Sequence, residues 1–425
     1  MAEHSRTLHF QRESQTSGVR LYTTQGEVTN PTVITDASTE SAGTLYTTAA
    51  DDITPALRLK DGSTTVYAKL EEVSGTNKGL KVSANEKNYV APSTVQVGLA
   101  LIASGGGAGT WKQVDAEGNS LSGAIDFSNT YPWNAIETVT IDGQTMVKIP
   151  KFYVKYGEIQ SGSNAGKKAR WVSETKKTGY HIHPAFVKNG YVMDSFYLGA
   201  YEAYNSGSNK AGSAANKTPW VNIGGFANAK TYCANRGAGW HLQNIYEIAA
   251  VNILLLIELG TPDVQTAIAA GNVRSSAVVT TGSSAAVWRG IHEWWGNMME
   301  HVDGLTTDAN GIYQIFSNKM DGSYVSTGIT NPASGWITEM SEAKGTNFDL
   351  SDVFLSSATN DTVGNGTYGD YHFTGKNTIL LRSGYWGNGG DAGAFEVSVY
   401  NDALYSENSV CLRLAKEGTV TEEVA

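Results

Sequence analysis

The chain is poor in cysteine, in positive charge and in long apolar runs, and each shortage closes off a class of protein. Only Cys233 and Cys411 occur in 425 residues, which excludes a disulfide framework and any multi-cysteine zinc site. Both are read as reduced core thiols. With 31 Lys+Arg against 41 Asp+Glu the formal net charge is -10, which opposes a nucleic-acid or anionic-membrane partner unless a local basic patch overrides it. The basic doublets Lys167-Lys168 and Lys176-Lys177 are too small for such a footprint. The longest apolar run, Ile248 to Ile257, is broken by Asn252 and falls short of the roughly 20 residues a membrane span needs. The start, MAEHSRTLHF, has neither a basic opening nor an apolar stretch, so it does not read as a signal peptide. The expectation is a soluble, cytoplasmically synthesised protein with no membrane insertion and no nucleic-acid partner.

What is abundant is glycine (47), tyrosine (21) and tryptophan (10), against 17% charged residues. That is the composition of a turn-rich, aromatic, strand-leaning fold, and a length of 425 residues predicts more than one domain. Residues 1–95 carry short extended pieces between polar turns, with Asp61-Gly62 marking a hairpin between two strand-like runs. This region is read as an all-β attachment or oligomerisation module, or as an ordinary β-sandwich linker. The glycine-rich stretch 103–110 suits a boundary, making 96–125 a linker with connecting strands.

From residue 126 the texture turns to mixed α and β. Phe226, Ala229 and Cys233 fall at helical spacing and Gly237 ends that run. Asn244 with Glu247 three residues on predicts a capping box, and Gly260 the stop of a second helix, apolar nearly all round and therefore buried. Beyond Gly260, short strands alternate with loops rich in Gly, Asn and Asp. Residues 416–425 read as a solvated acidic tail. No internal repeat of fixed period is present, which disfavours solenoids and propellers.

Three motifs carry a family resemblance. Gly296, Asn297 and Glu300, within the 288–304 segment, form a Gly-Asn-x-x-Glu pattern that resembles the C-type-lectin-like fold of formylglycine-generating-enzyme-type domains. The closing stretch, from Arg382 through Trp386 and Phe395 to Arg413, is similar to the variable region of phage tail proteins diversified by retroelements, the group that includes major tropism determinants. Segments 146–155 and 180–186 also resemble phage tail sequences. The resemblance spans 126–415 and leaves the first 95 residues uncovered. It departs from the family before the closing arginine, where Cys411 and Leu412 stand in place of a frequent Gly-Phe.

The fold so implied is α+β, a C-type-lectin-like domain over 126–415 with its variable region at 381–415. In that family, adenines of template codons are substituted, and Asn codons become Tyr, Asp, Ser or Gly or stay Asn. Such residues stand at Tyr385, Gly387, Asn388, Asp391, Ser398, Tyr400, Asn401, Tyr405 and Asn408, with Glu407 as the least typical member. Trp386, Phe395, Val397, Val399 and Arg413 are the expected scaffold. Alternation over 395–400 turns Phe395, Val397 and Val399 inward and leaves Glu396, Ser398 and Tyr400 outward. Exposed side chains of that kind change at a cost usually within about 0.5 kcal/mol, and Tyr385, Tyr400 and Tyr405 are expected to dominate binding energy. Without the resemblance, the same residues are solvated polar loop positions.

The resemblance implies a phage or prophage tail-tip or fibre protein of the virion, a homotrimer that binds a host cell-surface receptor, protein or glycan, and assembles with other tail proteins. The alternative is a non-diversified structural tail or surface protein whose lectin-like domain only packs against neighbours. Enzyme activity is not expected, since the oxygen-activating members use paired late cysteines and Cys411 stands alone. Glu-Pro-Asn, Gln-Pro-Asp and Trp-Asn-Asp are absent, so calcium-dependent sugar binding is not expected. No cofactor is expected beyond structural calcium in the loops 303–310 or 360–370. His181 and His183 are read as packed or surface histidines rather than metal ligands, and Glu300, His301 and Asp303 as structural.

Overall fold

The computed structural model describes residues 96–421 in full, and only strand backbone within 1–95 and at 422–423. The chain divides into two units, Met1–Pro92 and Ser93–Ala425.

In the first unit the described backbone forms antiparallel sheets of three, four and two strands. The hairpin expected at Asp61-Gly62 is present, with Leu57–Asp61 running against Thr64–Ala68 and Asp61 opposite Thr64. The attachment or oligomerisation role read for 1–95 rests on side chains that lie outside the described residues.

The second unit is built on three large sheets. The first has five strands, in the order 110–114, 97–103, 168–173, 153–158 and 181–182. Its first two strands fall within 96–125, the stretch read as a linker with connecting strands. Val97 and Leu99 are buried in the main core, and the glycine-rich stretch is the turn that joins the strands. Gly105, Gly106, Gly107 and Gly109 all take positive φ there, a conformation that costs residues with a Cβ. The second sheet places the strand Leu414–Glu417 between Ser195–Gly199 and Trp240–Leu242. The third has nine strands, and in it Met299–Thr307 is paired on one side by Ile379–Arg382 and on the other, in parallel, by Val410–Leu412.

Two helices fill the space beside these sheets. Helix α1 spans Phe226–Ala234 and buries Phe226, Ala229 and Cys233, the three residues its spacing singles out. Helix α2 spans Ile245–Leu259. Asn244 accepts from the backbone N–H of Tyr246 and Glu247, the Glu247 carboxylate accepts from the Asn244 N–H, and Gly260 closes the helix with φ 66°. Its residues from Ile245 through Ile257 are buried, which matches a helix apolar on all sides. Each fully buried Leu or Ile contributes about 1.5–3 kcal/mol, so α2 is a main source of the domain's stability.

The strands Leu414–Glu417 and Val420–Glu423 take up most of the described part of the stretch read as a tail. Val420–Glu423 pairs with Tyr191–Met193, Asp194 Oδ1 accepts from the Thr419 N–H at 3.0 Å, and Lys188 pairs with Glu417. Strand pairing overrides the polar composition from which a solvated tail was expected.

Candidate binding surface

The centre of the C-terminal unit is a buried ion cluster. Register sets Glu300 opposite Arg382 in one neighbouring strand and opposite Cys411 in the other. Glu300 Oε1 accepts from Arg413 Nε at 2.8 Å, and its Oε2 accepts from Arg382 Nη1 at 3.0 Å and Gln243 Nε2 at 2.8 Å. Arg413 also donates to the carbonyls of Gly199, His292 and Glu293. Arg382 donates to the Trp294 carbonyl and lies 3.8 Å from the centre of that indole ring. A buried charge is tolerated only when it is paired and hydrogen-bonded, and here one carboxylate and two guanidiniums meet that condition together. Burial lowers the Arg382 pKa to about 10, with Glu300 acting against that fall. For Arg413 burial works in the same direction, but Glu300 more than offsets it and the pKa is raised.

The cluster continues outward. Trp294 Nε1 donates to Asn252 Oδ1, and Asn252 Nδ2 donates to the Ala394 carbonyl, so α2 holds the loop that precedes Phe395. Asn297 Nδ2 donates to Glu202 Oε2 at 2.6 Å, and the Met298 N–H to Glu202 Oε1 at 3.1 Å. Burial, then the neighbouring Glu293 and Glu300, raises the Glu202 pKa well above the ordinary carboxylate value.

Two loops rim this interior. The first, 383–391, is docked through its backbone: Ser383 accepts from the Gly296 N–H, Trp386 donates to Asn297 and accepts from Ser275, and Gly389 donates to Val273. The second, 400–409, crosses from one end of the sheet to the other. Asn401 accepts from the Ile379 N–H at its start, Ala403 from Phe226 and Glu407 from Asn222 in the middle, and Ser409 from Met299 at its end. Because carbonyl and N–H groups carry the docking, most side chains in the two loops are not needed to hold it.

The positions chosen from sequence divide accordingly. Gly387, Tyr400, Glu407 and Asn408 are exposed, and Tyr385, Asn388, Asp391, Asn401 and Tyr405 are half-buried. Tyr385 and Tyr405 are brought together, both packing against one cluster that contains Phe226, Leu381, Val410 and Leu412. Tyr400 is not with them. The strand pairing of Leu381 with Ser398 and Arg382 with Val397 sends Tyr385 beyond one end of the pair and Tyr400 beyond the other. The Asn388 side chain closes its own turn, its Oδ1 accepting from the Tyr385 N–H at 2.8 Å.

Three expectations are corrected here. Ser398, read as outward, is 3% exposed, and so is Glu396. Val397–Ser398 is paired along both edges inside the nine-stranded sheet, and Glu396, Val397 and Ser398 are all buried, so both faces of the sheet are covered here and alternation no longer separates core from solvent. Trp386, read as core, is half-buried at the surface, its ring standing at 90° to that of Tyr385 at 5.2 Å. Its backbone, not its indole, is what the fold uses. Phe395, Val397, Val399 and Arg413 are buried.

Sequence reading missed two participants. Leu404 is 80% exposed, an apolar side chain standing among the polar loop positions, and its signal was a large aliphatic residue inside a stretch rich in Asp, Asn and Tyr. Arg382 is the other, and nothing local in the sequence distinguishes it from a surface arginine.

Among the described residues, possible metal-holding side chains gather in threes at two places: His181, Asp349 and Asp352, and Glu202, Glu300 and Cys411. In the first, His181 Nε2 is 2.7 Å from Asp352 Oδ1, and Lys344 pairs with Asp349. His183 is fully buried, its Nε2 facing the Asp352 carbonyl and its Nδ1 accepting from Ala185. In the second, the carboxylates are already engaged by Arg382, Arg413, Asn297 and Met298. In the loop 303–310, Asp308 Oδ1 accepts from the N–H groups of Asn310 and Ile312, which closes a turn. Both cysteines are buried free thiols, and burial raises the pKa of each, which holds them in the protonated, unreactive form.

Neither a family model nor a curated protein matches the chain. Solved structures do. The Major Tropism Determinant M1 variant is 11% identical with a TM-score of 0.32, the match covering 92% of this chain and 95% of that one. The U1 variant is 10% identical with a TM-score of 0.31 over the same shares. PvdO from Pseudomonas aeruginosa is 10% identical with a TM-score of 0.24, covering 66% of this chain and 97% of that one. No helix among the described residues is long and apolar enough to cross a membrane.

Proposed function

We propose that the protein is a phage or prophage receptor-binding protein of the virion tail, whose C-type-lectin-like domain presents a retroelement-diversified surface to a host-cell receptor. The observation that carries this reading is the separation of tasks between the buried Glu300–Arg382–Arg413 cluster and the two loops docked by backbone, 383–391 and 400–409. Most side chains in those loops can change without loss of the backbone contacts that fix the fold. The residue types found there, Tyr, Asn, Asp and Gly, are those an Asn codon yields when its adenines are replaced. Tyrosine supplies contact area at low rotamer cost, and small polar residues supply adaptable hydrogen bonds. The reading extends to a homotrimer, to assembly with other tail proteins through residues 1–95, and to binding without covalent chemistry or cofactor. Several copies per virion would raise avidity over the single-site affinity.

The test is to sequence codons 381–415 in independent isolates and to search beside the gene for a second copy of that segment and a reverse transcriptase. Expected are substitutions at Tyr385, Gly387, Tyr400, Asn401, Tyr405 and Asn408, with Arg382, Phe395 and Arg413 unchanged. A uniform segment with no neighbouring copy favours the non-diversified structural tail protein.

A further inference from the structure

A cleft lies outside residues 381–415. We propose that it binds a sugar bearing a single carboxylate, at a site walled by Tyr204 and Trp220 and served by Lys217, with Asn205 and Thr218 on its edge. The cleft is open, has a volume of about 400 Å³, and is completed by Pro219 and Val221. That volume lies in the range of small-molecule sites.

Its walls are held in place by the fold. The strand Tyr204–Asn205 pairs with Ala211–Gly212, and the Tyr204 ring lies so close over Gly212 that a Cβ there would stand 2.6 Å from the ring. Trp220 stacks on Tyr232 of α1 with ring centres 4.4 Å apart and planes 6° from parallel, and its N–H donates to the Ala203 carbonyl. Lys217 is fixed through its backbone alone: its N–H donates to Thr281 Oγ1 at 3.0 Å, and its carbonyl accepts from the Thr281 N–H at 2.9 Å. Thr281 itself is fully buried.

The lining selects the ligand. The Lys217 ammonium lies 5.4 Å from the centre of the Tyr204 ring and has no carboxylate partner among the described residues. It is a cation over an aromatic face, open to an anionic group. Aromatic faces carry negative quadrupole density, which suits the polarised C–H face of a pyranose; Asn205 Oδ1 accepts from the Gly207 N–H at 2.9 Å, which orients its amide to donate, and the Thr218 hydroxyl both donates and accepts, as ring hydroxyls require. The formal net charge of -10 disfavours a polyanion, so one carboxylate facing one ammonium is the charge the site accommodates. The cleft adjoins the second loop, since Asn222 donates to Glu407. It therefore offers a fixed glycan contact beside a surface that changes.

The test uses the full chain and two acidic probes, 3′-sialyllactose and a glucuronic-acid-capped disaccharide, with lactose and the methyl ester of the second as neutral counterparts, followed by calorimetry and tryptophan fluorescence. Expected is saturable binding of at least one acidic probe, about tenfold tighter than its neutral counterpart, and which probe binds distinguishes a sialic from a uronic source. Lys217→Met, a change at an exposed side chain, should remove that preference while circular dichroism is unchanged. Trp220→Phe should weaken both acidic and neutral sugars. Absence of binding by every probe, equal binding to Lys217→Met, or displacement by a short oligoglutamate as effective as the sugar each overturns the proposal.

Discussion

Arg413 reaches Glu300 with Nε 2.8 Å from Oε1, and neither side chain has any solvent exposure. The pair closes the domain, because Arg413 follows directly on the strand that runs beside Met299–Thr307 and precedes the one inserted between Ser195–Gly199 and Trp240–Leu242. A residue twelve from the chain's end thus ties two sheets together through one guanidinium.

Removing either partner leaves a buried charge without compensation. Glu300→Gln or Arg413→Met should therefore cost about 3–5 kcal/mol, read as a lower urea midpoint with an unchanged slope. Arg382→Met should also destabilise, since it leaves Glu300 one donor short and the Trp294 carbonyl unpaired. A loss within 0.5 kcal/mol for all three, about the scale of a surface substitution, would show that the cluster is not what holds the sheets.

Two buried groups give pH dependences of opposite sign. Burial raises the Glu396 pKa from 4.5 to about 8, Arg382 working against the rise, so the folded chain holds a proton that the unfolded chain releases. The resulting stability is complete below about pH 4.5 and declines as pH climbs toward 8, at up to about 1.4 kcal/mol per pH unit. Glu396→Gln should lack this decline, so its stability relative to the parent rises between pH 5 and 8, as urea unfolding at several pH values will register.

His301 behaves in reverse. It is fully buried with no hydrogen-bond partner on either ring nitrogen among the described residues, and burial lowers its pKa from 6.5 to about 4. The unfolded chain takes up a proton first, so stability is lost as pH falls from about 6.5 to 4, by at most about 3 kcal/mol. His301→Leu should be close to neutral at pH 8 and more stable than the parent at pH 5. A variant that loses stability equally at both values would place the ring's role in packing alone.

Much of the frame was legible because its signals are local. The capping box at Asn244 and Glu247, the stop at Gly260, and the spacing of Phe226, Ala229 and Cys233 each report a few neighbouring residues, and each is met in the structure. The hairpin at Asp61-Gly62 belongs to the same kind. What failed depended on partners distant in sequence. Alternation could not show that both faces of the sheet are covered at Glu396, Val397 and Ser398, since burial on both faces is set by segments distant in sequence. The glycine-rich 103–110 stretch reads alike as linker and as tight turn, and only the pairing of its flanking strands decides. For the candidate surface, the set of positions was legible but their grouping was not, because the crossover that carries Tyr405 back to Tyr385 is a property of the topology.

The buried position of Ser398 separates it from the other candidates. Ser398→Tyr must fit a large ring onto a sheet face that is already covered, and overpacking of that kind costs about 1–3 kcal/mol. Tyr400→Ser alters a side chain that is 67% exposed and should fall within about 0.5 kcal/mol. Chemical denaturation of the two variants orders them, and equal stability would restore Ser398 as a freely variable site.

The grouping itself makes the last prediction. Tyr385, Trp386 and Tyr405 stand at one end of the Arg382–Val397 strand pair, and Tyr400 stands at the other, so a receptor that buries one compact patch engages the first set more fully than the second. Interface energy concentrates in a few central aromatic residues, where truncation costs about 2 kcal/mol or more. Tyr385→Ala and Tyr405→Ala should each lower adhesion of the purified protein to host cells by roughly thirtyfold, while Tyr400→Ala lowers it less than tenfold and circular dichroism is unchanged throughout. Leu404→Ser separates the middle of the crossover from its end: a large loss there, with Tyr385→Ala silent, would move the contact from the paired tyrosines onto the exposed 400–404 segment.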